Sequence, residues 1–288
     1  MKNILLKSLP VLILLLATSL AAQDFQSKAM YQTKSTMDID FVGSGIPADR
    51  IKMIKERMKN QLEKTYTLTF DKTASIYKEE VKLDQVNSGR GGMRFMMMGG
   101  GVSGNYYKNI QTKVAAKENE FSGKNFLIKD SLATYKWKME QETKMIGENL
   151  CFKATTVVER PVRKTNFRFG RRDNKEEEKN EEPNKNRKEL VIVTAWYTLD
   201  IPVSNGPGDY WGLPGLILEI SDGNMQILCT KIVMNPKDKM VIEEPKKGKV
   251  VTQKEYDKIL EEKIKEMRER MGNEREKSGG ERHFRIGG

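Results

Sequence analysis

The stretch YWGLPGLILEISDGNMQILCTK (residues 210–231) constrains the fold more than any other part of the chain. It places Asp222-Gly223 between two apolar runs, which is the strongest short-range signal for a β-hairpin. A two-residue turn at these positions predicts that Ile220 faces Met225 across the hairpin. The chain is therefore expected to build an antiparallel sheet that contains this hairpin.

The predicted register divides the hairpin residues between two faces. One face is predicted to be apolar throughout and consists of Leu216, Leu218, Ile220, Met225, Ile227 and Cys229. The other face, which includes Ile217 and Glu219, is predicted to meet solvent or a groove. A one-residue slip would mix the two sets, so the sequence specifies the division strongly.

The segment SNGPGDYWGLPG before this strand has two interpretations. Gly212 and Gly215 permit backbone angles or close approaches that a side chain would block, and Pro214 favours an extended residue before it. The segment is either a tight entry into a buried strand or a loop that rims a cavity. The second interpretation predicts a ligand-binding set of Tyr210, Trp211, Leu213, Leu216, Leu218 and Ile220.

Short apolar-alternating runs separated by turns continue along most of the chain, and they predict a mainly β fold. Tyr135 and Trp137, for example, alternate with lysines as in a half-buried strand. Two short amphipathic helices are expected, one over residues 47–63 and one that begins with a Thr252/Glu255 capping box and ends at Gly272. The prediction is an antiparallel meander that forms an open or incomplete β-barrel.

The first residues have the pattern of a cleaved signal peptide. Lys2 and Lys7 precede the apolar run at 11–17, which is too short to span a bilayer, and small residues follow at 19–21. Residues 1–22 are therefore expected to be removed on export to the periplasm or the medium. No cysteine follows the cleavage region, so a lipoprotein anchor is not expected, and no later run has the length of a transmembrane helix.

The remaining chain is expected to form one β-rich domain over residues 23–272. Two segments are predicted to be flexible insertions: the Gly- and Met-rich residues 88–104 and the charge run at 163–188. Residues 273–288 are predicted to be a flexible basic tail.

The formal net charge of +11 suggests an anionic partner. Export argues against nucleic acid, and an anionic envelope surface fits better. The two cysteines, Cys151 and Cys229, would pair in an oxidising compartment, but strand parity points their side chains in opposite directions. Whether these two cysteines form a disulfide is therefore left undecided.

The single histidine, His283, lies in the predicted tail, so a histidine-dependent catalytic set is not expected.

GLPGLILEI (residues 212–220) resembles the signature of the GLPGLI family of exported Bacteroidetes proteins. MIGENLCFKAT, TAWYTLDIPVSNGPGDYWGLPG and SIYKEE resemble its other marks. The resemblance implies export, a β-rich fold and an envelope setting. A role in outer-membrane assembly or TonB-dependent import would fit that setting. The resemblance implies no catalytic residues. The strand order is also distantly similar to lipoprotein-carrier (LolA-like) folds, in which an incomplete barrel encloses an apolar groove.

Three functions remain open at this stage. The preferred one is a non-catalytic binding or carrier module, without a cofactor, for an envelope protein or a lipid or acyl ligand. The alternative is copper handling, with soft thioether ligands from Met93, Met96, Met97 and Met98. The third is a hydrolase, for which the candidate carboxylates are Asp200, Asp209, Glu219 and Asp222. The oligomeric state is left undetermined.

Overall fold

The computed structural model describes residues 25–35, 46–80, 105–161, 188–238 and 240–280. These residues form one large sheet and two helices, which confirms the mainly β prediction. The predicted insertion at 88–104, most of the one at 163–188 and the signal peptide lie outside the described residues. The strands are β1 (Ser27–Ser35), β2 (Glu63–Phe70), β3 (Ala74–Glu79), β4 (Tyr106–Asn109), β5 (Val114–Phe121), β6 (Lys124–Ser131), β7 (Lys138–Ile146), β8 (Asn149–Pro161), β9 (Lys188–Thr198), β10 (Leu216–Ser221), β11 (Met225–Met234) and β12 (Lys249–Val251); the helices are α1 (Ala48–Leu62) and α2 (Gln253–Gly280).

The sheet consists of two antiparallel meanders that meet at its centre. The strand order is β12-β6-β5-β4-β3-β2-β1-β11-β10-β9-β8-β7, so the first strand of the chain pairs with the last strand of the second meander. The pair β12–β6 is parallel. The sheet is open and does not close into a barrel. Its edges are the short β12 and the nine-residue β7.

Strand alternation gives the sheet a core face and an outer face. In β2 the side chains of Tyr66, Leu68 and Phe70 point into the main hydrophobic cluster, while Thr67 and Thr69 lie between them on the opposite face. The main cluster also takes residues from β1, β3, β8, β9, β10 and β11. A smaller cluster on the other face, around Tyr107 and Leu127, is packed by Ile242.

A second layer on the core face comes from the connection between β9 and β10, residues 199–215, which we call the crossing segment. Its side chains Ile201, Val203, Tyr210 and Leu213 belong to the main cluster. The backbone of Asn205 pairs with that of Ile217, and the Asn205 side chain accepts a hydrogen bond from Ser75 on β3. The segment therefore extends from one meander across to the other.

The hairpin of β10 and β11 forms, but its register differs from the prediction. Ile220 pairs with Ile227 instead of Met225, because the two-residue turn is Gly223-Asn224. The side chain of Asp222 accepts hydrogen bonds from the backbone N–H groups of Asn224 and Met225 at 3.1 and 2.7 Å. This Asx turn moves the turn by one residue and the pairing by two, so parity around the turn is preserved.

The predicted solvent-facing side of β10 is wrong. A bulge between Ile217 and Glu219 interrupts the alternation against β9. Ile217 is 0% exposed and Glu219 is 8% exposed, so both faces of β10 are covered. Ile217 packs against Gly206 of the crossing segment, and the Glu219 carboxylate accepts hydrogen bonds from the side chains of Lys144 and Gln226.

The helices lie near the predicted positions. α1 spans Ala48–Leu62, and Thr252 and Glu255 form the predicted capping box: the Thr252 N–H donates to Glu255 at 2.8 Å, and the Glu255 N–H donates to the Thr252 hydroxyl at 3.3 Å. Tyr256 of α2 packs edge-on against Phe126 of β6. α2 continues to Gly280, so the predicted end at Gly272 is wrong. No helix of the described residues is long and apolar enough to cross a membrane.

Gly215 is expected to tolerate no side chain. A Cβ at this position would overlap the carbonyl oxygen of Thr198, which is backbone and cannot rotate away. We expect Gly215→Ala to lower the free energy of unfolding by about 3 kcal/mol or more, as overpacking of a close-packed core does. Urea unfolding of the full chain measures this.

Gly223→Ala is the matched control. Gly223 has a φ of 86°, but a Cβ there would have no heavy atom within 4 Å. Its expected loss is only the strain of a left-handed residue, about 1–2 kcal/mol. An equal loss in the two variants would contradict the close approach at Gly215.

Candidate functional site

The crossing segment is anchored by a lysine in the protein interior. Lys108 of β4 is 0% exposed, and its Nζ donates to the carbonyl oxygens of Gly206, Gly208 and Tyr210 at 2.8, 2.9 and 2.9 Å. An ammonium group has three donors, so all of them are satisfied. The three carbonyls come from alternate residues of one short stretch, which therefore curls around the ammonium.

Burial lowers the pKa of Lys108 to about 7, while the charge of Asp209 acts in the opposite direction. The pKa of the neighbouring Lys117 is also lowered by burial and raised by Asp209. Asp209 is exposed, and its charge acts on both lysines. The end of the core face near Asp209 therefore combines two lysines of lowered pKa with one exposed carboxylate.

Four aromatic side chains lie beside Asp209, and we call them the aromatic rim: Tyr135, Trp137, Tyr210 and Trp211. Tyr135 stacks on Tyr210 with ring centroids 5.3 Å apart and leans on Trp137 at 5.4 Å. Its hydroxyl donates to Asp209 at 2.7 Å. Burial, and then the Asp209 charge, raise the pKa of the Tyr135 phenol far above its ordinary value, so it stays protonated.

The two indoles of the aromatic rim are held by the backbone. The Trp137 Nε1–H donates to the carbonyl of Trp211 at 2.8 Å, and the Trp211 Nε1–H donates to the carbonyl of Ala133 at 2.7 Å. Both rings are half-buried. Because each indole has only one donor, what these rings still offer to a partner is their apolar faces.

Arg160 of β8 connects the aromatic rim to the hairpin turn. It forms an ion pair with Asp222, and its second guanidinium nitrogen donates to the Tyr210 hydroxyl at 2.7 Å. Burial of Arg160 acts to lower its pKa, but Tyr210 and Asp222 outweigh this and raise it. The Arg160 guanidinium therefore links the Asp222 carboxylate to the Tyr210 hydroxyl and fixes the position of the Tyr210 ring.

The structure places most of the predicted ligand-binding residues in the core. Tyr210, Leu213, Leu216, Leu218 and Ile220 are between 0% and 4% exposed, and they pack within the main cluster. Trp211 alone of the set is half-buried, at the aromatic rim. The predicted residues therefore contact the protein's own chain, and the tight-entry interpretation of the GLPG segment describes their packing.

Neither cysteine is bonded in the structure. Cys151 and Cys229 are both buried free thiols on strands β8 and β11, which have β9 and β10 between them. Their Sγ atoms point toward the carbonyls of Asn149 and Lys231. Burial raises the pKa of Cys151 to about 11 and that of Cys229 to about 12, which keeps both thiols protonated and unreactive.

The four candidate carboxylates each have a different partner. Asp209 accepts from Tyr135, Asp222 pairs with Arg160, and Glu219 pairs with Lys144 at 2.6 Å. Asp200 accepts from the Thr198 hydroxyl at 3.1 Å. Each contact has a structural role in a turn or between strands.

The predicted copper site stays a prediction, because none of its residues belongs to the described part of the chain. Within them no three His, Cys, Asp or Glu side chains are grouped as metal ligands would be. The predicted copper ligands, Met93, Met96, Met97 and Met98, lie outside the part of the chain that the structure describes.

Sequence reasoning missed Lys108 and Arg160, and it placed Tyr135 and Trp137 in a strand. The two aromatic residues instead lie in the connection before β7. A lysine between polar residues in a short strand is normally solvent-exposed, so YYKN carried no signal of burial. The only hint was the glycine pair in NGPGD, since glycines leave backbone carbonyls accessible to a partner.

Comparison with known proteins adds a family match of limited extent. Residues 137–219 match the model of a family described as "Protein of unknown function (Porph_ging)", which fits a Bacteroidetes-type family. The match begins at Trp137 of the aromatic rim and includes the whole crossing segment. No curated protein matches the chain.

Two solved structures, both of PNGF-II, one in space group C2 and one in P21, are similar to the chain at 14% sequence identity and a TM-score of 0.47. The alignments cover 82% of this chain, and 32% and 33% of those chains. The chain therefore spans about a third of the length of these structures.

Lys108→Met is expected to destabilise the fold and to change how its stability depends on pH. The substitution leaves three carbonyls without this donor, and each of the two buried ones costs about 1–3 kcal/mol. The ordinary pKa of 10.5 for lysine exceeds the folded value of about 7, so the unfolded chain binds more protons between these pH values. The stability of the wild type should therefore rise with pH across this window, and the variant should lack this rise.

Urea unfolding between pH 7 and 10.5 measures both effects. Lys136→Met, at an exposed lysine, is the matched control and should follow the wild-type curve. Parallel pH profiles for the Lys108 variant and the wild type would show that the buried amine does not titrate in this way.

Proposed function

We propose that the protein is an exported, non-catalytic binding module of the cell envelope, and that it recognises its partner with the aromatic rim. The observation that carries the proposal is the anchoring of both indoles: each N–H is occupied by a backbone carbonyl, which presents the rings in a fixed orientation. Aromatic side chains held in this way bind without a large loss of side-chain entropy.

The chemistry around the aromatic rim defines what fits it. The ring faces of Trp137 and Trp211 offer apolar contact, and the exposed Asp209 provides a carboxylate beside them. A partner segment or ligand with an apolar group next to a hydrogen-bond donor or cation suits this arrangement. An envelope protein segment is the partner we favour, and a lipid or acyl ligand is the other class.

Most of the residues predicted to bind a ligand are buried in the core. This supports a binding site at the aromatic rim rather than one inside the sheet. An acyl chain inside would have to displace the crossing segment, which Lys108 and the main cluster hold in place. The carrier version of the proposal therefore requires the ligand to lie across the aromatic rim.

The envelope setting rests on the sequence. We propose that the chain is a GLPGLI-family protein with a cleaved signal peptide, located in the periplasm or secreted. The family match over residues 137–219 is compatible with this finer assignment, because it includes the GLPGLI segment. A link to outer-membrane assembly or TonB-dependent import follows only from that setting.

Native mass spectrometry of the exported chain, purified without detergent or chelator, tests the proposal. The expected result is a chain that lacks residues 1–22 and carries an additional mass. Trp211→Leu removes one ring of the aromatic rim and should lower the affinity for the bound partner about thirtyfold, as loss of a binding hot spot does.

Trp196→Leu is the matched control, because this indole lies on the outer face of β9 beneath the Lys144 ammonium, 4.3 Å from the ring centroid. The control should keep the bound mass. An unliganded wild type, or equal loss in both tryptophan variants, would count against recognition at the aromatic rim.

A further inference from the structure

A cavity lies on the outer face of the sheet, away from the aromatic rim. It is a groove of about 530 Å³ across β11, β1 and β2, and we call it the outer groove. Its lining includes Lys28, Met30, Thr67, Lys231 and Val233. Neither the core nor the crossing segment uses these side chains.

Strand pairing places two lysines of the outer groove close together. Lys28 pairs with Val233 and Met30 pairs with Lys231 across β1 and β11, so the lysines are diagonal neighbours on one face. Diagonal neighbours in an antiparallel pair lie roughly 7–8 Å apart, within reach of long side chains. Neither ammonium has a hydrogen-bond or ion-pair partner among the described residues.

The rest of the lining separates charge along the groove. Met30 and Val233 are half-buried apolar side chains beside the lysines. Glu80, toward β3, accepts a hydrogen bond of 2.5 Å from the hydroxyl of the buried Thr67 and pairs with no described lysine. The groove therefore has a cationic end, an apolar floor and an acidic end.

We propose that the outer groove binds the phosphate headgroup of an anionic membrane lipid, with the phosphate between Lys28 and Lys231. Two neighbouring like charges without a counter-ion repel each other, and a phosphate placed between them removes this repulsion and accepts a hydrogen bond from each ammonium. Glu80 repels the anion from the opposite end and accepts a hydrogen bond from a headgroup hydroxyl.

A lipid is favoured over free phosphate for two reasons. The groove is much larger than one phosphate ion, and its apolar floor suits the glycerol and the first methylenes of an acyl chain. The chain also has a net charge of +11, which attracts it to an anionic membrane before the groove engages. Free phosphate would make no use of the apolar floor, and as a single small ion it would gain less from the net charge than an extended anionic surface does.

Sedimentation of the full exported chain with vesicles tests the site. The vesicles are phosphatidylcholine alone or phosphatidylcholine with phosphatidylglycerol. The double variant Lys28→Gln/Lys231→Gln should bind the anionic vesicles about thirtyfold more weakly, as expected when two lysines leave an anionic surface. Its thermal unfolding should show no loss of stability, because the repulsion between the lysines is also removed.

The matched control is Lys254→Gln/Lys258→Gln. These exposed lysines are neighbours one turn apart on α2, which packs against β6, so the control removes the same charge away from the outer groove. It should weaken vesicle binding less than about threefold. Equal weakening by the two double variants would overturn the proposal in favour of diffuse surface charge.

A second arm separates the lipid from free phosphate. Inorganic phosphate and glycerol phosphate are titrated into the wild-type chain, and each is used to compete with the anionic vesicles. Weak competition, much below the affinity for vesicles, supports the lipid headgroup. Tight binding of inorganic phosphate, or no binding of the wild type to anionic vesicles, would overturn it.

Discussion

The contact between the Lys108 ammonium and three backbone carbonyls is the interaction on which the rest of the structure depends. An open sheet is stable only when a second layer covers its apolar face. In this chain the covering layer is largely a segment without regular structure, whose backbone carbonyls need donors of their own. Lys108 supplies three donors at once, and the carbonyls in turn supply the polar environment that a buried cation requires.

The aromatic rim is a consequence of the same contact. The carbonyl of Tyr210 is one of the three acceptors, so the position of the backbone at Tyr210 and Trp211 is fixed from the core face. Arg160 then fixes the Tyr210 ring, and Ala133 fixes the Trp211 indole. A cation with a pKa near 7 at this position also makes the support of the rim sensitive to pH.

The parts of the fold that sequence could predict are those decided by local pattern. The hairpin, the capping box and the mainly β class depend on residues that are neighbours in sequence, and all three are present. The predicted register of the hairpin is wrong by two residues. In the sequence SDGN either Asp-Gly or Gly-Asn can form the two-residue turn, and the hydrogen bonds of the Asp222 side chain favour Gly223-Asn224. The alternation of side chains around the turn is as predicted because the pairing differs by an even number of residues. The bulge between Ile217 and Glu219, in contrast, has no recognisable sequence pattern.

The candidate site was only half predictable, for a related reason. Tyr210 and Trp211 could be selected because aromatics beside glycine and proline are unusual, but whether such residues line a cavity or fill a core is decided by what lies opposite them. Here Lys108 and Ser75 lie opposite, 102 and 130 positions before their partners Tyr210 and Asn205. No pattern within the GLPG segment could reveal that the protein's own backbone would occupy the space that an apolar ligand was expected to fill.

The filling of the core face also limits where binding can occur. With the interior closed by the crossing segment, the surfaces that the described residues offer to a partner include the aromatic rim and the outer face. The outer face carries polar and charged side chains, such as the Lys144–Glu219 pair over Trp196. Lys28 and Lys231 are diagonal neighbours in the outer groove and have no carboxylate partner among the described residues, so an added anion would relieve their mutual repulsion.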